Sequence, residues 1–476
     1  MLDESSVAAS RASPGSTGAA AARGPALHPE GRRLALGLAA LVALQVVASL
    51  LLTPAAENGA ADTTLGYARA FLAGDVAQYE DSWRPMAGAV KSWREFPERP
   101  IYRRLLSAHH TKIQYPPSSF FLTLAAERLA PKFGLSAYRL LDGVGWLSCW
   151  TVIFAAGWLF RRAYEDANGG EPPGTLANAM VLVLALLFYP ILRGFWIGQV
   201  QSLITACTAL ALAFWYSGRR ATAGVFLGVA ALLKPHYALI LLFVAWRRRF
   251  RAAAAGGIVL AAGSLAGALV FGWRNYVDYL HALQLLAQRG ESYYANFSIN
   301  GLLSRIDGLY DPRHNNADWS FKFPPFVPWV YWGTVASSLV LLAVVFFRRR
   351  PAISASAQTA DLGVAVLGVT MASPIAWEHH YGVLAPLLAM GAALAWTEPD
   401  LRRRRRLGLL LGGAWLLSAT YIQPAIRLAQ TPWNFLQSYL YVGALAALAA
   451  LVLLAAERSP ATAASAAAVA RAAPPG

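Results

Sequence analysis

Apolar residues run in long blocks between residue 34 and residue 456, and polar residues collect between the blocks. With about 20 residues needed to cross a bilayer, the blocks predict spans at 34–55, 140–160, 176–193, 198–216, 221–233, 236–246, 252–272, 327–347, 359–376, 382–397, 407–422 and 436–456. A backbone in hydrocarbon must satisfy its own N–H and C=O groups, so repeated runs of this length mean helices rather than a barrel. One further apolar stretch, 116–131, is shorter and carries Glu127 and Arg128.

Parity decides how that stretch is used. Short arginine clusters sit beside the ends of the runs, at Arg161–Arg162, Arg219–Arg220, Arg247–Arg249 with Arg251, Arg348–Arg350 and Arg402–Arg406. Clusters of this kind mark the cytoplasmic side. The tail 1–33 is rich in Ala, Ser, Gly and Pro, is expected to be disordered, and ends in Arg32–Arg33, which puts it on that side as well. If 116–131 stays outside as a juxtamembrane or re-entrant helix, every cluster falls on the cytoplasmic face. If it crosses, the clusters after it change side. The expectation is therefore an all-α polytopic membrane protein with about 12 transmembrane helices in a domain covering 34–456, and a second disordered cytoplasmic tail at 457–476. Within it, a first extracytoplasmic loop with juxtamembrane helices covers 57–139 and a second covers 273–326, with short turns at 193–198, 374–381 and 423–435 facing the same side. The first span reads as an anchor rather than a cleavable signal, because it comes late.

Composition agrees. Residues of the AVILMFWYC set make up 57% of the chain and DEKR only 14%, against about a quarter charged in soluble domains; mean hydropathy is +0.42. A soluble cytosolic enzyme, a secreted disulfide scaffold and a disordered chain are excluded. The net charge of +16 lies largely in the arginine clusters. It reports topology, and the partner it implies is the bilayer, with no nucleic acid. Cys149 and Cys207 both lie in apolar runs and carry neither a metal nor a disulfide signature. Transporters have short connections and a midplane site, whereas two large outer loops point to chemistry at the outer membrane surface. No Walker or dinucleotide motif is present.

Three features break the apolar pattern. Lys234–Pro235–His236 interrupts the run Ala221–Trp246. A membrane-embedded cation is costly and faces a cavity or a partner, and the proline splits the run into two short helices meeting at an outer turn. Lys234 either snorkels to the headgroups or contacts a phosphate as a compact charge. Trp377–Glu378–His379–His380–Tyr381 follows Ser373–Pro374 in another outer turn. Its histidines can donate to phosphate oxygens or move protons, or serve as interfacial residues; adjacent histidines lack zinc-ligand spacing, so no metal site is expected. Asp62 stands just beyond the first span, ahead of the helical stretch Tyr67–Ala73, with Glu57 and Asp75 nearby. Alone it reads as an N-cap.

Taken in order, Asp62, Tyr115–Pro116–Pro117, Gly198–Gln199–Val200–Gln201, GVAALLKPHYALILLFVAWRRRF, NFSINGLLSRI and SPIAWEHHYG resemble the family 87 glycosyltransferases of the GT-C superfamily, over about residues 34–456. That family includes polyprenyl-phosphate-mannose-dependent mannosyltransferases and a related arabinofuranosyltransferase. The resemblance implies a GT-C-type bundle and an inverting transfer, without metal or other cofactor, from a polyprenyl-phosphate sugar to a glycolipid or polysaccharide acceptor on the outer face of the inner (plasma) membrane. Mannose is the implied sugar, with arabinofuranose second. In such a reaction a carboxylate deprotonates the acceptor hydroxyl, a role for Asp62 with Glu57 and Asp75 as competitors, and fixed donors hold the departing phosphate, a role for Lys234, His379 and His380. Arg305 adds a bidentate contact or is plain surface. Gln199 bonds a sugar hydroxyl or caps a helix; Tyr115 and Glu378 complete the substrate contacts. Pro116–Pro117 would set the amphipathic helix 118–131 against the membrane.

Three other classes compete. A lipid-linked-sugar flippase or transporter would use the buried cations for a phosphate in transit and need no base. A ligase or polymerase would join a whole lipid-linked glycan to an acceptor with the same groups. An inactive scaffold has no use for a lysine at the end of an apolar run. Asp62→Asn separates enzyme from flippase.

Overall fold

The computed structural model describes residues 29–52, 63–76, 81–108, 111–308, 324–349, 351, 353–429 and 431–456. Asp62 and Glu57 lie outside the described residues, as do most of tail 1–33 and all of 457–476. The described chain is helical throughout, its one β-bridge joining Asn296 to Trp377. In order come α1 (Pro29–Leu51), α2 (Thr64–Ala73), α3 (Trp83–Glu95), α4 (Ile101–Ala108), α5 (Phe121–Leu129), α6 (Ala137–Ala167) and α7 (Thr175–Leu186). Next are α8 (Tyr189–Trp196), α9 (Gln201–Tyr216), α10 (Arg220–Leu233), α11 (Ala238–Trp246), α12 (Phe250–Phe271) and α13 (Trp273–Arg289). The last six are α14 (Ile299–Gly308), α15 (Pro328–Phe347), α16 (Ala355–Met371), α17 (Leu384–Trp396), α18 (Leu401–Ser418) and α19 (Tyr439–Ala455).

Helix occupies every predicted apolar run. Among the described residues, five helices are long and apolar enough to cross a membrane, in α1, α6, α12, α15 and the stretch Asn434–Ala455 that holds α19; α7 with α8 makes a sixth if counted as one span. The run 176–193, expected as one continuous span, bends by 46° between α7 and α8. Pro190 enters the first turn of α8, where it cannot donate to the preceding turn, and Phe188 is extended. The stretch 116–131 forms a 3-10 turn, Pro117–Phe120, followed by the nine-residue α5. At 1.5 Å per residue α5 covers about 14 Å, well short of a crossing.

Close packing depends on small residues at one crossing. A Cβ at Gly224 or Gly228 of α10 would collide with the backbone of Ala252 or Gly256 in α12. The two backbones therefore touch, an arrangement that small residues spaced four apart permit.

The bundle has two chemically different ends. At one, Arg247 lies 3.2 Å from Asp361, Arg348 also pairs with Asp361, and Arg220 and Arg249 both donate to Gln358. Helices α9, α10, α11 and α16 all reach this end, and members of three arginine clusters, Arg220, Arg247 with Arg249, and Arg348, meet here. At the opposite end of the same helices lie Gln201, Lys234 and Thr370, linked through Tyr237. The two motif-bearing segments are stitched together on that end. Asn296 donates to Pro374 O and accepts from Ala376 N, Phe297 N donates to Ala376 O, Ser298 donates to Pro374 O, and Tyr381 donates to Phe297 O. A buried pair, Lys112–Glu291 at 2.7 Å, ties the segment before Tyr115 to the same loop.

Candidate functional site

Lys234 ends α10. Because proline at 235 disfavours helical backbone in the residue before it, Lys234 is extended, with φ −147° and ψ 96°, and a 3-10 turn, Pro235–Tyr237, leads into α11. Its side chain is buried, its Nζ 2.5 Å from His380 Nε2 and 3.3 Å from Gln201 Oε1. Among the described residues no carboxylate pairs with it. His380 belongs to the 3-10 turn Glu378–Val383, where its Nδ1 accepts from Trp377 N–H. A neutral His380 therefore carries its proton on Nε2, facing the ammonium. Burial, and then the charge of Lys234, hold the His380 imidazole well below its ordinary pKa, which keeps it neutral. Lys234 donates to the Gln201 amide oxygen and meets the His380 ring nitrogen, which gathers a cation and an imidazole at one point, an arrangement suited to an anion's oxygen atoms.

A second cation lies nearby. Arg193 of α8 donates through Nε to Glu378 at 3.1 Å and through Nη1 to Tyr67 Oη at 3.0 Å. Glu378 is buried; burial raises its carboxyl pKa while Arg193 pulls it down. Tyr67 lies on α2, whose N-cap is Thr63, the residue that follows Asp62 in the chain. His379 lines a small pocket with Cys149, Pro190, Ile191, Ser202 and Thr205, and neither ring nitrogen has a hydrogen-bond partner among the described residues.

Tyr115 and Gln199 meet directly: Tyr115 Oη and Ser82 Oγ both donate to Gln199 Oε1, at 2.8 and 2.6 Å, while Gln199 Nε2 donates to Asp81. Gln199 caps no helix, since the N-cap of α9 is Val200. Its side chain is committed to holding Asp81. Arg305 is 1% exposed, so it is not plain surface. It donates to Ser438 Oγ, Tyr294 O and Asn296 O, and its Nε has no hydrogen-bond partner among the described residues. Burial draws its guanidinium down to about 9. Asp75 is exposed at the end of α2. Among the described residues, no cluster of three or more His, Cys, Asp or Glu is arranged to hold a metal ion.

The model of Glycosyltransferase family 87 matches residues 114–374, just over half of the chain. The chain belongs to glycosyltransferase family 87. Tyr115, Arg193, Gln199, Lys234 and Arg305 fall inside the matched stretch, which ends at Pro374, four residues before Glu378. Over 284 residues the chain is 27% identical to a polyprenol-phosphate-mannose-dependent alpha-(1-2)-phosphatidylinositol pentamannoside mannosyltransferase of Mycobacterium tuberculosis, covering 57% of this chain and 59% of the relative. Over 190 residues it is 29% identical to a polyprenol-phosphate-mannose-dependent alpha-(1-2)-phosphatidylinositol mannoside mannosyltransferase of the same species, covering 40% and 39%. A Mycolicibacterium smegmatis protein of the latter description is 28% identical over 233 residues, 47% and 48% of the two chains. The chain thus spans between about two fifths and three fifths of the length of these relatives. No solved structure matches.

Sequence reasoning missed Arg193, Tyr67, Asp81 and Gln201. Arg193 carried a usable signal, as the one charge in the predicted span 176–193, the same anomaly that singled out Lys234. Asp81 had none: it lies in a loop with other acids, and only the fold sets it against Gln199.

Proposed function

We propose that this family 87 protein is an inverting mannosyltransferase that takes mannose from a polyprenyl-phosphate donor and passes it to a glycolipid or glycan acceptor. The reading carries about twelve crossings of the plasma membrane, with the arginine end cytoplasmic and the Lys234 end extracytoplasmic. The observation that carries it is the Lys234–His380 pair, a buried cation against an imidazole, with no carboxylate of the described residues paired to the lysine. The mannosyltransferase names of the relatives favour mannose, and the phosphatidylinositol mannosides in those names favour a glycolipid acceptor.

The chemistry follows from the residues. A carboxylate takes the proton of the acceptor hydroxyl; that oxygen forms the new bond to the anomeric carbon as the bond to the lipid phosphate breaks on the opposite face. Lys234 and His380 donate to the phosphate oxygen on which charge develops. Asp62 is the proposed base: α2, which it precedes, delivers Tyr67 to Arg193. Asp81 is the second candidate, because Gln199, itself held by Ser82 and Tyr115, fixes its carboxyl in place. His379 acts behind His380, and Arg305 acts by holding the 294–296 backbone. No metal takes part in this scheme.

The test is transfer by detergent-purified protein from radiolabelled polyprenyl-phosphate-mannose, with EDTA present and phosphatidylinositol mannosides or a membrane lipid extract as acceptor. Label should enter a new glycolipid with wild type, fall by 10²–10⁴-fold in Asp62→Asn, and fall by 10²–10³-fold in Lys234→Ala. Transfer by Asp62→Asn with loss in Asp81→Asn would move the base to Asp81. Lipid movement across vesicles without transfer would replace the transferase by a flippase.

A further inference from the structure

Glu378 presents an unusual pairing of a used and an unused side. Its Oε1 accepts from Arg193 Nε and, at 3.4 Å, from Tyr189 Oη. Its Oε2 is buried and has no hydrogen-bond partner in another of the described residues. A buried carboxylate oxygen left unmatched costs roughly 1–3 kcal/mol, so its retention calls for a ligand that supplies a hydroxyl. Arg193 mirrors it. Nε and Nη1 are engaged, whereas neither hydrogen of Nη2 has a partner among the described residues, and the side chain is 22% exposed. One fixed acceptor and one fixed donor therefore lie side by side on a single ion pair. Around them aromatic rings crowd together: Tyr67 lies 6.0 Å from Tyr189 and 5.8 Å from Trp196, and Tyr189 stacks on Tyr421 at 5.0 Å.

We infer that Arg193 and Glu378 form a clamp for two neighbouring hydroxyls of a sugar ring, one donating to Glu378 Oε2 and the other accepting from Arg193 Nη2. The aromatic rings face the apolar side of that sugar. This deepens, and rests on, the transferase reading: Lys234 and His380 hold phosphate, and the clamp selects the sugar. It accounts for a buried carboxylate beside a phosphate site, where a negative charge would otherwise repel the donor. Arg193 neutralises it, and sugar hydroxyls, which both donate and accept, match what remains. The sugar is that of the donor lipid or the outermost sugar of the acceptor; the chemistry is common to both.

Binding, rather than turnover, tests this. Affinities of the full chain in nanodiscs would be measured for polyprenyl-phosphate-mannose against polyprenyl phosphate, and for a phosphatidylinositol mannoside against phosphatidylinositol. One pair should prefer the sugared lipid by about 10–100-fold, which identifies the source. Arg193→Lys and Glu378→Gln should each reduce that preference to under about threefold. Where a variant fails to fold, wild type with single-deoxy versions of the preferred lipid replaces it: two adjacent deoxy positions should each lose about tenfold and the others should lose little. Equal affinity for sugared and sugarless lipids in both pairs, or a preference untouched by the variants and by every deoxy position, overturns the clamp. A sugar preference without transfer would sink the transferase reading and leave the clamp standing; transfer with no sugar preference would do the reverse.

Discussion

Both ends of the bundle bury positive charge, and the company that charge keeps separates them. At the arginine end, Asp361 pairs with Arg247 and Arg348, Arg247 also donates to Arg348 O, and Gln358 serves Arg220 and Arg249. Each guanidinium finds a carboxylate or a carbonyl oxygen. At the other end, Lys234 has an amide and an imidazole, and Arg193 shares one oxygen of Glu378 while part of its fork stays unused. Burial of charge alone does not identify a site. A buried cation whose partners among the described residues are all neutral is the feature on which the proposed anion contact rests.

The comparison can be broken from either end. The largest effect is expected from Asp361→Ala, which strands two largely buried guanidiniums and should cost about 3–5 kcal/mol, read as a fall in the thermal midpoint of the purified protein. A wild-type midpoint would mean that the arginine end carries no structural load. Lys234→Met should act the other way, lowering turnover by 10²–10³-fold, about 2.7–4 kcal/mol, with an unchanged or higher midpoint, since it removes a buried cation that lacks a counter-charge. Unfolding of Lys234→Met would erase the distinction. Arg305→Met orphans two carbonyls and a hydroxyl under the 294–296 loop; a loss of about 1–3 kcal/mol is expected, together with faster amide exchange in that loop, and unaltered exchange there would remove the positioning role.

The smallest effect concerns pH. His379 and His380 are held neutral, well below their ordinary values, first by burial and then by the charge of Lys234. Unfolded histidine titrates near 6.5. Below that pH the unfolded chain binds more protons than the folded one, so stability should decline as pH falls from about 7 to 5. His380→Gln should flatten the decline; an equal slope in the variant would show that other groups govern it.

Much of this is legible in the sequence. Composition and run length dictate helices, because hydrocarbon admits no other repeated solution, and the sites of the predicted runs follow from the same rule. Lys234, Glu378 and His380 stand out because polar groups in apolar sequence are expensive, and Lys234 and His380, 146 positions apart, do meet. Less legible was the break between α7 and α8, where proline at the second position of a helix can open a new element or bend an old one. The sequence offers Gln199 as a sugar contact or a cap, whereas its three partners come from residues 81, 82 and 115. No local pattern encodes those distances.

The sequence by itself determined the environment of this protein: the apolar runs, the arginine-marked ends, and the motifs that assign it to its family, all of which act locally through hydrophobicity and backbone satisfaction. Only the tertiary structure decided which polar residues share a site. That Lys234 faces His380, that Arg193 rather than any lysine holds Glu378, and that Arg305 is spent on backbone carbonyls all depend on contacts across 11 to 185 positions of chain. Such contacts are selected by the simultaneous packing of many helices, a many-body condition that no window along the sequence contains.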